Sequence, residues 1–196
     1  TSRRGRYFVT DPYLRFYYHS LAAYQSKLAL GAQNELMETI LEKLPDFIRT
    51  FTWRELCSEW LLRSSLAGDL PISLESVGGF WHRLQEIDLV GIDQINANLT
   101  LAVCDWSENP ATDEEMLQAV KDLIKKTALI VPDDGRTWRV YYVGLSSNPW
   151  PTTIQAQLVK LAQQNAKGKP WNAVGVRLVD VEQVDQDLFR WGTGYR

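Results

Sequence analysis

The spacing of apolar and polar positions changes several times along the chain, and each change marks an element. Glu86 to Ile92 alternates, with Ile87, Leu89 and Gly91 on one face and Glu86, Asp88 and Val90 on the other, which predicts a strand. Asp93 to Asn98 is polar, and Asn96 and Asn98 suit a turn with positive φ. Leu99 to Asp105 is a second strand. Its period of two sets Leu101, Val103 and Asp105 on one face and Thr100, Ala102 and Cys104 on the other. Helical spacing comes before and after this hairpin. Asp11-Pro12 opens an aromatic helix, with Asp as N-cap and Pro in the first turn; the stripe reads as core packing, and Arg15 among the aromatics suits a cation–π contact. Glu35 to Leu44 carries Leu36, Ile40, Leu41 and Leu44 on one face, and Pro45 is expected to end it. Phe51 and Thr52-x-x-Glu55 predict a fresh start by hydrophobic staple and capping box. Trp53, Leu56, Cys57, Trp60 and Leu61 then form the inner stripe of a core helix that ends before Gly68.

Ile72 to Val77 reads as a strand that runs into Gly78-Gly79, a pair suited to a bend or a close backbone approach. Asn109-Pro110 breaks the chain. Thr112-x-x-Glu115 is another capping box, and the helix it opens turns Met116, Leu117, Val120, Leu123, Ile124 and Thr127 inward. Trp138 to Leu145 has the continuous apolar character of a buried strand. A helix carrying Ile154, Leu158, Leu161 and Ala162 follows, then a strand over Ala173 to Val179, a terminal helix over Asp180 to Phe189, and a loop-like tail from Arg190 whose Trp and Tyr are free to dock. Arg6 to Thr10 reads as a short opening strand. This order is α/β, with a mixed central sheet flanked by helices.

Composition narrows the reading. The chain has 196 residues, 45% of them hydrophobic, enough for one ordinary domain with a core and a small appendage. We place the appendage at residues 1–50 and the main domain at 51–196. The net charge of −3 lacks the basic excess of a domain that lives by gripping nucleic acid. Arg3, Arg4, Arg6 and Arg15 form the one clear positive cluster, a candidate for phosphate contact. Cys57 and Cys104 stand in no zinc-ligand spacing with His19 and His82, so a reduced, cytoplasmic setting is expected. No apolar run approaches the ~18 residues of a membrane span, so no membrane partner is expected. The chain opens at Thr1 without Met, as a fragment of a longer protein would.

The hairpin from Phe80 to Trp106 carries the candidate chemistry. An acid in its first strand and a pair two apart in its second resemble the active-site hairpin of the PD-(D/E)xK nuclease superfamily. There two acids hold Mg²⁺ and a Lys helps position water. Asp88 fits the first position, Val103 stands where the second acid is expected, and Asp105 stands at the Lys position. A second resemblance covers Arg6 to about Asn148. Arg6-Tyr7-Phe8-Val9-Thr10-Asp11-Pro12-Tyr13-Leu14-Arg15-Phe16, Phe51 to Cys57, Gly78-Gly79-Phe80-Trp81, Glu86 to Val90 and Val103-Cys104-Asp105-Trp106 are similar, in order, to motifs of a C-terminal domain of unknown function in archaeal and bacterial DEXX-box (AAA-type) ATPases. That family has E-C-K-W where this chain has V-C-D-W.

These resemblances imply a restriction-endonuclease-like αβββαβ core with an N-terminal helical appendage, the opening strand being the end of a winged-helix wing. They imply upstream ATPase and winged-helix modules as partners; the chain itself carries no phosphate-binding-loop motif. The site they imply is Asp88 and Asp105 as metal ligands, with Glu55 as a third catalytic candidate whose other task is capping. Glu59 stands one turn on, with a solvated face as its other reading, and Gln118 and Lys121 lie on the helix from which some nuclease relatives replace a missing Lys, an exposed polar face being the expected reading for both. The residues demand no cofactor; Mg²⁺ is what the resemblance would bring. Replacing Lys by Asp moves the local charge by two units against phosphate, so a degenerate nuclease frame that binds nucleic acid or protein is the expected function. A Mg²⁺-dependent nuclease with migrated ligands is the alternative, and a domain that mediates oligomer contacts is a third.

Overall fold

The computed structural model describes residues 9–82, 85–107 and 112–193. The chain divides into two compact units, Thr1–Thr52 and Trp53–Arg196.

In the first unit, α1 (Pro12–Phe16) starts as its sequence dictates: Asp11 Oδ1 accepts the Leu14 N–H at 2.9 Å and Pro12 needs no donor in the first turn. A π-helical turn (Tyr17–Leu21) and a short 3₁₀ segment (Ala22–Tyr24) lead to α2 (Gln25–Ala29) and α3 (Gln33–Phe47). The aromatic stripe divides. Phe16 meets Phe47 edge-on at 5.5 Å, Phe47 and His19 both pack on Phe51, and the Arg15 guanidinium lies 5.8 Å from the Phe51 ring. Tyr13 and Tyr18 are exposed. Pro45 does not end its helix; it sits inside α3. Proline bars only its own N–H and crowds the carbonyl four residues back, and the helical backbone continues as a π turn over Ile48–Thr52. The expected fresh start at Phe51 is therefore absent. The expected opening strand falls mainly on residues 6–8, outside the described residues, and Val9 and Thr10 are not in a strand.

The second unit is a mixed α/β structure. Its five-stranded sheet has the order β1 (Ser76–His82), β2 (Gln85–Asp93), β3 (Asn98–Asp105), β4 (Trp138–Ser146), β5 (Trp171–Asp180). The first three strands form an antiparallel meander, and β3, β4 and β5 run parallel. The crossover helices α5 (Asp113–Lys126) and α6 (Ile154–Ala166) cover one face, packing Val120, Leu123, Ile124 and Leu158 on Leu99, Leu101, Val140 and Tyr142. On the other face α4 (Trp53–Leu66) and α7 (Val181–Thr193) set Trp53, Cys57, Trp60, Val184 and Trp191 against Ala102, Val143 and Leu145. β3 and β4 are buried on both faces, as strands between two helical layers must be. The α5 capping box is formed: Thr112 Oγ1 accepts from Glu115 N, and the Glu115 carboxylate accepts from Thr112 N.

Four expectations are corrected. β1 begins at Ser76, not Ile72, and contains Gly78-Gly79. Leu56 is exposed rather than part of the inner stripe of α4. The positive φ of the β2–β3 turn falls on Ala97 (φ 51) rather than on an Asn; Asn96 instead bonds the Asp93 carboxylate and Asn98 opens β3. The tail from Arg190 is helical to Thr193, held by Trp191 packing on Trp60 at 6.2 Å.

Candidate functional site

The hairpin's chemistry is organised by one irregularity. Gly78 pairs with Val90, but Phe80 pairs with Ile87, so β2 carries an extra residue opposite Gly79. This is a β-bulge at Asp88 and Leu89. Beyond it the alternation of β2 slips by one. Leu89 stays on the α4 face with Ala102, whereas Ile87 turns to the α5 face with Leu99 and Leu101. The expectation that Ile87, Leu89 and Gly91 share a face therefore fails at Ile87, because strict alternation assumes an unbulged strand.

At the bulge the Asp88 carbonyl is taken up by a side chain. Arg54, in the first turn of α4, donates from Nε at 2.9 Å and from Nη2 to the Asp88 carbonyl. A Cβ at position 79 would meet that guanidinium, so any larger residue there would make the Arg54 side chain shift from the Asp88 carbonyl. The Asp88 carboxylate accepts the Cys104 N–H at 2.8 Å, just past the last paired residues of the β2–β3 ladder, Leu89 and Ala102. Asp88 thus bridges the two strands where their backbones part. Arg54 also reaches Glu86 at 3.4 Å, and Lys126, at the end of α5, donates to the Glu86 carbonyl at 2.8 Å.

Burial pushes the Asp88 carboxyl above its ordinary range. The Cys104 N–H and the Arg54 charge pull it back, Glu86 adds to the rise, and Lys126 opposes it. Asp105 ends β3 opposite Ser146 of β4, whose hydroxyl lies 3.4 Å from Oδ2. Its carboxyl is also raised, first by burial and then by the charges of Asp88 and Glu115, against the Ser146 contact. Asp88 and Asp105 therefore share one electrostatic neighbourhood. Val103 packs at the edge of the α5-side core and offers no ligand atom.

The other candidates lie elsewhere on the elements. Glu55 is exposed in the first turn of α4, and Glu59 pairs with Arg63 at 2.7 Å on that helix's outer face. Gln118 donates to Asp122 at 2.8 Å along α5, and Lys121 is half-buried on that helix. Arg15 lies over Phe51, and Arg3, Arg4 and Arg6 fall outside the described residues. Among the described residues, no three His, Cys, Asp or Glu side chains gather as metal ligands. Two carboxylates, one of them holding a backbone N–H, do not make the acid–acid–lysine set of a PD-(D/E)xK nuclease. Arg54 and Lys126 are the cations that face Asp88, and periodicity did not single out either one. A basic residue beside Glu55 in the first turn of α4 and a lysine at the end of α5 were the only signals available.

The sequence model of a family described as archaeal and bacterial proteins of unknown function, DUF234, matches residues 17–119. The uncharacterized protein MJECL04 of Methanocaldococcus jannaschii is 24% identical over 133 residues, which is 68% of this chain and 29% of that protein. The chain thus spans less than a third of the length of this curated relative. No solved structure matches the chain. Among the described residues no helix is long and apolar enough to cross a membrane.

Proposed function

We propose, from the premise that this chain belongs to the DUF234 family of archaeal and bacterial proteins, that it is a restriction-endonuclease-like C-terminal domain of an AAA-type ATPase, retained for recognition and not for hydrolysis. The observation that carries this reading is the use made of Asp88. Its carboxylate holds a strand N–H and its carbonyl holds Arg54, so the one acid at its expected place acts as a bracket within the fold. The element order α4-β1-β2-β3-α5-β4, with an antiparallel meander and a parallel β3–β4 pair, agrees with an αβββαβ core. The greater length of the relative agrees with further modules in the full protein. Recognition of nucleic acid by the basic start is tested by titrating salt against binding of duplex and single-stranded DNA. Affinity that falls steeply with salt supports it, and no binding of either form at ~50 mM salt removes it.

The second reading, a nuclease with migrated ligands, draws on the shared neighbourhood of Asp88 and Asp105, two carboxyls that a divalent cation would relieve. Calorimetry with Mn²⁺ decides it. Binding at or below ~10⁻³ M that is lost in Asp88→Ala favours migrated ligands, and no binding by either protein favours the recognition module.

A further inference from the structure

We propose that a cleft at the N-terminal ends of β3 and β4 binds a sugar phosphate. The cleft has a volume of about 490 Å³, and Ser65, Leu70, Ile72, Ser73, Asn98 and Arg139 are among the residues that line it. Its place follows from the fold. Asn98 and Arg139 are partners in the parallel ladder, at the start of β3 and β4. Their side chains leave the sheet on the face of Ala102 and Val143, which α4 covers further along. α4 ends at Leu66, and the irregular segment 67–75 crosses the strand ends in its place. Arg139 Nη2 donates to the Pro71 carbonyl at 3.1 Å and Ser65 Oγ accepts the Leu74 N–H at 2.8 Å, so the segment is held to both strand and helix. Asp105 is at the other end of β3, roughly 23 Å away at a rise of ~3.3 Å per residue.

Two polar groups here lack the partners that their kind has elsewhere in the second unit. Arg54, Arg63, Arg136, Arg177 and Arg190 each pair with a carboxylate. Arg139 pairs with none among the described residues, and its guanidinium is held by the neutral Pro71 carbonyl. The Asp93 carboxylate is bonded instead to Ser73 and to two donors of Asn96. The second group is the side-chain oxygen of Asn98, a residue only 2% exposed, which accepts no hydrogen bond among the described residues. Its neighbours fix the orientation of the amide. Ser73 gives its hydroxyl proton to Asp93, so the Ser73 oxygen accepts from Asn98 Nδ2 at 3.0 Å and Asn98 Oδ1 is left without a donor. This set selects the occupant. The planar Arg139 guanidinium and the Ser65 hydroxyl suit the oxygens of a phosphate. The Asn98 oxygen requires an O–H beside it. Leu70 and Ile72 are nearly fully buried and no aromatic ring among the described residues lines the cleft, so the rest of the occupant is hydroxylated and not stacked. Arg139 is exposed, so its side chain turns onto the phosphate and admits a sugar hydroxyl to Asn98.

The test is a titration of the isotope-labelled whole chain with ribose 5-phosphate, followed by its amide NMR shifts. The expected result is a saturable shift at Ser65, Gly68, Ser73, Asn98 and Arg139, with a Kd of about 1 mM or tighter. Ribose alone and inorganic phosphate alone should each bind roughly tenfold more weakly or worse, since each offers only half of the contacts. Arg139→Gln should weaken ribose 5-phosphate by roughly tenfold or more and leave the urea midpoint near that of the native chain. Inorganic phosphate bound as tightly as ribose 5-phosphate would mean an adventitious ion only and would overturn the proposal. Undiminished binding by Arg139→Gln, or shifts that do not saturate, would overturn it as well. The three probes are compared on the native chain, so the test holds even if the glutamine variant folds poorly.

Discussion

Asp88 joins two roles at the scale of one residue, and its titration separates them. Its native carboxyl titrates above the ordinary value of 3.8, chiefly because it is buried. The folded state therefore holds this proton more tightly than the unfolded chain does. The resulting stabilisation is present at pH below 3.8 and is lost as pH rises through the higher native value, so the ionised carboxylate weakens the fold at neutral pH. Asp88→Asn keeps an oxygen for the Cys104 N–H and removes the charge. It should unfold at higher urea than the native chain at pH 7, with the gap narrowing as pH falls through the raised native value and closing below 3.8. Asp88→Ala leaves that N–H unmade and should cost about 1–3 kcal/mol. If the Asn variant is as unstable as the Ala variant at pH 7, the ionised carboxylate is needed for something the bracket does not explain. Asp88 was singled out by the hairpin's resemblance to the PD-(D/E)xK active-site hairpin. That resemblance did not supply the partners: Arg54 and Lys126 are brought to the site by helix docking, which leaves no periodic trace.

At the scale of elements, regular periods read well and irregular ones did not. The faces of β3, the buried β4 strand and the capping box of α5 were all legible, since each follows from local spacing or a local hydrogen bond. The bulge at Asp88 was not, because an extra residue in one strand is defined only by its partner strand. Pro45 misled for a related reason: a proline signals a missing donor, and a helix tolerates one missing donor when neighbouring turns reorganise. Two substitutions test the packing of these elements. Asp187 on α7 is almost fully buried, accepting from Trp60 Nε1 at 3.0 Å, Gln183 at 3.0 Å and Arg190 at 3.1 Å. Asp187→Ala strands these donors and should cost about 3–5 kcal/mol, with Asp187→Asn losing less; equal Tm values for the Ala variant and the native chain would contradict the docking of α7 on α4. A Cβ at Gly144, near the C-terminal end of β4, would lie 2.8 Å from the Trp150 ring and 2.9 Å from Leu178. Gly144→Ala should therefore lose about 1–3 kcal/mol by overpacking, read as a lower urea midpoint with an unchanged m-value.

At the scale of the whole molecule, stability should be distributed unevenly between the two units. Both core clusters, all five strands and both helical layers belong to residues 53–193. In the first unit, Leu36 is the one buried apolar side chain among the described residues, while Tyr13, Tyr18, Leu30, Met37 and Leu41 are exposed. Burying little apolar surface leaves little to offset the entropy of ordering about forty residues. Hydrogen exchange on the intact chain gives the measurement. Amides of β3 and β4 should exchange only through global unfolding, following the urea dependence of the whole cooperative transition. Amides of α1, α2 and α3 should exchange many-fold faster, with almost no urea dependence, because their opening exposes little surface. Residues 53–196 alone should then unfold in one transition at the midpoint shown by the protected amides of the intact chain. Protection of α3 equal to that of β4 would mean that the first unit is stabilised by burial beyond its own side chains, and the fragment should in that case unfold at distinctly lower urea.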